Sequence, residues 1–235
     1  MTVHGRVWQP RKKARVFPTW AAKLAMSITG LVMLAFVFVH MLGNLKIFAS
    51  HEEYNAYSKW LREAFTPLLP YEGLLWIARI VLGTCLLIHV LCALLVWKRS
   101  RANTANARPR GLTGYFAKLM LPTGIVLLAF VFVHILDLTV GALVQPATFQ
   151  HPDEQFYAAT NMIASLDRPV MAAFYLIVLL ALAIHLAHGF ELAINDLGVT
   201  SRSWRKWMRA IGILLAILIL MGDAAVVLSA NLGAV

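Results

Sequence analysis

Four histidines lie inside membrane-length apolar runs of this chain, and their surroundings repeat. Residues 29–40 read TGLVMLAFVFVH and residues 123–134 read TGIVLLAFVFVH, differing only at Leu31/Ile125 and Met33/Leu127. A weaker pair follows: LLIHVLCAL around His89 and LAIHLAHGF around His185. An ionisable ring in hydrocarbon is costly and marks a functional site by default. One such ring is about as readily a hydrogen-bonded packing residue as a metal ligand. Four of them, one in each of four successive spans, point to two pairs of axial haem ligands. Two histidines per iron leave no open coordination position, which favours electron transfer over oxygen chemistry.

Depth decides the pairing. A helix rises about 1.5 Å per residue. His40 lies 17 residues past Lys23 and His134 lies 16 past Lys118, in spans that run in the same direction. His89 lies nine residues before Lys98 and His185 lies 11 before Asp196, in spans that run the other way. The expected pairs are therefore His40 with His134 towards one surface and His89 with His185 towards the other. His188 shares a helix face with His185 and competes with it. The alignment of IHL around His185 with IHV around His89 favours His185. Small residues beside the ligands (Cys85, Cys92, Ala93, Ala181, Gly189 and, near His40, Gly43) give a porphyrin room. They serve ordinary helix packing in membranes equally well.

The elements that must hold these rings follow from composition. The 235 residues are 60% hydrophobic and their mean hydropathy is +0.71, which excludes an ordinary soluble domain. Five runs reach the ~20 residues needed to cross hydrocarbon. They fall near 24–48, 73–97, 119–144, 170–194 and 208–231, after a basic N-terminal arm, 1–23, with no evident cleavable signal. The expected fold is all-α: one polytopic membrane domain over 1–235, with five transmembrane helices and a four-helix haem-binding core. Ser50 and Glu53 have capping-box spacing, so a surface helix is expected after span 1, and another over 153–167, before Pro169.

The formal charge of +10 is uneven. Arg6, Arg11, Lys12, Lys13 and Arg15 precede span 1, a loop with Arg108 and Arg110 follows span 2, and Arg202, Arg205, Lys206 and Arg209 follow span 4. The other loops hold Glu52, Glu53, Glu63, Glu72, Asp153, Glu154 and Asp167. The positive-inside rule then puts the N-terminus in the cytoplasm and the C-terminus outside. The charge needs no nucleic-acid partner to explain it; a basic inner face also suits anionic lipid or an acidic protein. Cys85 and Cys92 are seven residues apart on one helix, too far for a disulfide, and no C-x-x-C-H run offers covalent haem attachment.

Three further groups carry open readings. Arg79 either binds a propionate of the outer haem or forms an ion pair with Asp137 or Asp223, unless it snorkels to the interface. Glu63 reads preferably as a solvated surface residue; its alternative, a carboxylate for quinol protons, is implied only by the approximate spacing of a related two-haem enzyme type. His188 with Trp204 offers an inner quinone site, or Trp204 is an interfacial anchor. Glu191 is expected to be solvated, as are His4, His51 and His151 outside the spans.

SITGLVMLAFVFVHMLGNLKIF followed by EEYNAYSKWLR resembles the first span and outer loop of the cytochrome b558 subunit of succinate dehydrogenase and fumarate reductase. IHLAHG around His185 and the later VTSRSWR resemble that family's fourth span and following loop. The resemblance implies a single-chain, five-span anchor in a bacterial cytoplasmic membrane. It implies two b haems on His40, His89, His134 and His185, with Ser27 near haem, and menaquinone as acceptor. It also implies a flavoprotein with FAD and an iron–sulfur subunit docked on the cytoplasmic face, so that this chain moves electrons and does no dicarboxylate chemistry. The competing expectations are a two-haem quinone-reacting anchor of another respiratory oxidoreductase and a transporter using histidines as proton relays. Spans 1 and 3 repeat in the same orientation and no paired Gly/Pro interruptions appear, which disfavours the transporter.

Overall fold

The computed structural model describes residues 17–103, 111–151 and 156–235. Seven α-helices follow in order among them: α1 Thr19–Asn44, α2 His51–Glu63, α3 Gly73–Asn103, α4 Gly111–His134, α5 Ala158–Leu166, α6 Pro169–Asp196 and α7 Arg202–Asn231. A short 3-10 turn, Leu45–Phe48, extends α1, and a π-helical segment, Ile135–Val140, extends α4. Five helices are long and apolar enough to cross a membrane: Thr19–Phe48, Gly73–Arg101, Gly114–Val140, Pro169–Asp196 and Arg202–Asn231. The chain is a polytopic helical membrane protein. The first, third and fifth spans begin five or six residues earlier than hydropathy suggests, because the helices continue through charged first turns, such as Lys23 of α1 and Arg205 of α7. The third span ends earlier, at Gly141, whose left-handed backbone (φ 64°) stops the helix.

A helix forms in each of the two expected places, but only α2 lies at the surface; α5 buries Ala159, Met162 and Leu166 in the core. The Ser50 hydroxyl accepts a 3.0 Å hydrogen bond from the Glu53 amide and caps α2. α5 covers only the second part of the expected 153–167 segment; Asp153 and Glu154 lie outside the described residues, as do the arm to residue 16, including His4, and Arg108 and Arg110. Pro122 lies inside α4.

Helix packing sets the positions of the histidines. α3 packs on α1, α1 on α6, and α6 on α4, while α3 and α4 do not pack along one another. The four helices thus occupy the corners of a bundle with one open side. α7 lies along α6 and also touches α1. Glycines let these helices approach: a side chain on Gly212 would meet Phe190 of α6, and one on Gly222 would meet Met41 of α1. The densest apolar packing is at one end, where Ile47, Met162, Leu166, Tyr175, Val226 and Val227 meet.

Charge divides the two ends. At the basic end, Lys23 reaches Asp196 at 3.2 Å, and Arg99 donates to the Phe17 carbonyl and the Thr19 hydroxyl. At the acidic end, Glu72 receives both Arg62 and Arg79, at 3.1 and 3.2 Å.

Candidate functional site

The four histidines meet as two pairs across the diagonals of the bundle. His89 of α3 and His185 of α6 have ring centroids 6.4 Å apart, nearer the basic end. His40 of α1 and His134 of α4 have centroids 5.9 Å apart with rings nearly perpendicular, nearer the acidic end. Along α1, Gly30 marks the level of the first pair and His40 that of the second. Ten residues separate these levels, about 15 Å by helical rise.

The repeated Thr-Gly dipeptides hold the rings of the first pair. His89 Nδ1 lies 2.9 Å from the Met26 carbonyl oxygen and 3.5 Å from Thr29 Oγ1. A carbonyl only accepts, so Nδ1 carries the proton and Nε2 keeps its lone pair for a metal. In the second half, His185 Nδ1 lies 3.0 Å from Thr123 Oγ1. Thr123 spends its own proton on the Leu119 carbonyl at 2.6 Å, so its oxygen accepts from the imidazole. The Thr123 hydroxyl also lies 3.2 Å from the carbonyl of Met120, the counterpart of Met26. Gly30 and Gly124 complete the seats. A Cβ on Gly30 would stand 3.1 Å from His89 Cε1, and one on Gly124 would stand 3.5 Å from His185 Cε1. Thr29, Gly30, Thr123 and Gly124 were on view in the repeat, but spacing alone does not say that their partners are histidines two spans' length away in sequence.

The second pair is held differently. Phe36 stacks on His40 at 5.4 Å and Phe130 lies against His134 at 5.3 Å, each one helical turn before its histidine. His134 Nδ1 lies 3.2 Å from the Tyr175 hydroxyl, which in turn donates to Asp137 Oδ2 at 3.3 Å. Neither Tyr175 nor Asp137 was expected in this role.

The donor set fits haem iron. Two metal–imidazole bonds of about 2 Å each, with half a ring beyond each, place centroids roughly 6 Å apart. Both pairs match that separation. Among the described residues no group of three or more His, Cys, Asp or Glu is arranged to hold a bare metal ion. Two facing histidines are what a porphyrin iron asks of the protein. All four rings keep accessible surface, His40 the most although it lies between helices. A flat group can reach them from the open side between α3 and α4.

The other expected residues separate into three groups. Ser27 and His188 are buried, with the Ser27 hydroxyl and His188 Nε2 lacking a partner among the described residues, and His188 stacks on Phe116. Glu63 is half-exposed at the end of α2, 3.9 Å from Lys59, as the solvated reading expects. Arg79 is exposed, bonded to Glu72 and stacked on Trp76. Trp204 is exposed on α7, as an interfacial anchor would be.

Three expectations are corrected. Arg79 pairs with neither Asp137 nor Asp223. Asp137 is fully buried and bound by Ser165 and by Arg168 at 2.7 Å, while Asp223 accepts from Asn44 at 3.0 Å. The π-helical segment from Ile135 carries Asp137 and buries it among these partners. Glu191 is not solvated: α7 folds back along α6 and places Arg209 on both its oxygens, at 2.6 and 2.8 Å. Gly43 gives its space to the Tyr57 ring, since a Cβ there would fall 2.7 Å from Tyr57 Cε1. Beside it, burial pushes the Tyr54 phenol up to about 12, with smaller contributions from Tyr57 and Asp223.

No protein-family description, curated protein or solved structure matches this chain.

Proposed function

We propose that the chain is the two-haem cytochrome b membrane anchor of a succinate:menaquinone oxidoreductase of a bacterial cytoplasmic membrane. The observation that carries the haem reading is the pair of facing histidine couples at two depths, with the seat of each ring in the first couple built from the same Thr-Gly repeat. The succinate assignment rests on the resemblance of residues 27–62 and of the His185 span.

Haem, when bound, supplies a site that takes up and releases one electron. The chain's own residues do the rest. Met26 and Thr29 in the first half, and Thr123 in the second, hold the Nδ1 protons of His89 and His185. Each Nε2 is thereby kept deprotonated, with its lone pair free for a metal. His40 and His134 form a second facing pair about 15 Å further along, with Tyr175 at His134 Nδ1. The apolar helices surround both levels, and the electron path would run between the basic and acidic ends. The basic end, with Lys23, Arg99 and Arg205, would face the cytoplasm and receive the flavoprotein and iron–sulfur subunits. Menaquinone would take the electrons from the membrane.

The proton-relay reading is disfavoured by the same geometry. His89 gives its Nδ1 proton to a backbone carbonyl, which cannot accept it and pass it on.

The test uses membranes holding the whole complex. Succinate is expected to reduce haem b absorbance to near the dithionite level. His89→Ala or His185→Ala should lose one haem, and His40→Ala or His134→Ala the other. Haem that dithionite reduces and succinate does not would assign the chain to a different respiratory oxidoreductase.

A further inference from the structure

The internal repeat is broken at one place, beside His134. Aligning His40 with His134 puts Gly43 opposite Asp137, three residues on in each copy. Aligning His89 with His185 puts Arg79 opposite Tyr175, ten residues earlier in each copy. In the first half these positions do nothing for the histidine: Gly43 is covered by Tyr57, and Arg79 reaches Glu72. His40 makes ring contacts but no hydrogen bond among the described residues. In the second half the same two positions form a chain from the ligand to a buried carboxylate.

The direction of each bond in that chain is fixed. Asp137 is fully buried. One of its oxygens takes Arg168 Nη2 at 2.7 Å, and the other accepts from both Ser165 Oγ and the Tyr175 hydroxyl. Arg168 is held in turn by the carbonyls of Ser165 and Val144 at 3.1 and 2.7 Å. A carboxylate with these partners is an acceptor only, so the Tyr175 proton points at Asp137. The phenol oxygen is then left to accept from His134 Nδ1–H. Nε2 of His134 faces the gap to His40.

We propose that Asp137, acting through the Tyr175 hydroxyl, is a positioning group for His134 that makes it the more electron-rich ligand of the outer pair and lowers the potential of the iron bound there. This rests on the cytochrome reading above. A ligating imidazole whose other N–H is bonded towards a carboxylate is a stronger base, and a stronger base stabilises ferric over ferrous iron. Among the described residues His40 has no such partner, so the outer pair is built from two unequal ligands. In the inner pair each ring has a threonine of the Thr-Gly repeat at Nδ1, and neither is bonded towards a carboxylate among the described residues. The arrangement sets the outer site lower than the same two histidines would without the chain.

The experiment is a redox titration of the detergent-purified complex, followed optically and by the EPR signal of low-spin ferric haem, with the inner haem as internal control. Tyr175→Phe keeps the ring and its packing on Phe130 and removes only the bridge. The expected result is two haems retained, an unchanged inner haem, and an outer midpoint raised by about tenfold in the reduced-to-oxidised ratio, ~59 mV for one electron. The outer EPR signal should shift as the imidazole plane is released. Should Tyr175→Phe not hold the outer haem, Asp137→Asn, which leaves the phenol in place, carries the same test and should shift the midpoint in the same direction. An outer midpoint unchanged in the haem-bearing variants would overturn the proposal. Wild-type complex without haem would instead overturn the cytochrome reading on which it rests.

Discussion

His89 shows how a single side chain in hydrocarbon is made usable. Its Nδ1 proton is committed to the Met26 carbonyl, Thr29 lies beside it, and Gly30 leaves its ring just enough room. The last contact is the most sensitive. A Cβ on Gly30 would already stand 3.1 Å from the ring, so a β-branched side chain must displace it. Gly30→Val is therefore expected to abolish or weaken inner haem binding while the outer haem remains. The check is the haem-to-protein ratio with a potentiometric titration; two unperturbed haems would contradict the role given to Gly30. At this scale the sequence pointed to the four histidines and was silent about the groups that hold them. A histidine in a membrane span announces itself by its cost, whereas a threonine or glycine one helix away is ordinary until the packing is known. Charged groups were the hardest to read. Asp137 and Glu191 are both buried with arginines that lie 31 and 18 positions later in the sequence, and neither pairing leaves a local signature.

Elements were more legible than their contacts. The five spans, the capped helix α2 and the matched depths of the histidines follow from hydropathy, capping chemistry and helical rise. The π-helical segment Ile135–Val140 does not, because its cause is the burial of Asp137 against Ser165 and Arg168 of a different part of the chain. The seam between α6 and α7 is closed at the basic end by Glu191 with Arg209 and Arg205. Glu191 is buried and the arginines are half-exposed, so solvent weakens the pair without removing it. Glu191→Gln should cost about 1–2 kcal/mol. That corresponds to a fall in Tm of roughly 2–8 °C for a chain of this size. Thermal unfolding in detergent would show it, and an unchanged Tm would mean that the apolar packing of α7 on α6 suffices.

On the scale of the whole molecule, two similar halves, α1 with α3 and α4 with α6, face each other so that each diagonal carries one histidine pair. The open side between α3 and α4 leaves access to both, and α7 closes the opposite side along α6 and α1. Such a bundle sets two facing histidine pairs at two depths among apolar helices, the placement that the proposed electron path between the two membrane surfaces needs. The most direct measurement is a dithionite-reduced minus oxidised spectrum of the purified chain together with its haem-to-protein ratio. Two b haems per chain are predicted. A chain that folds in the membrane with no haem, or with only one, would contradict the four-histidine account.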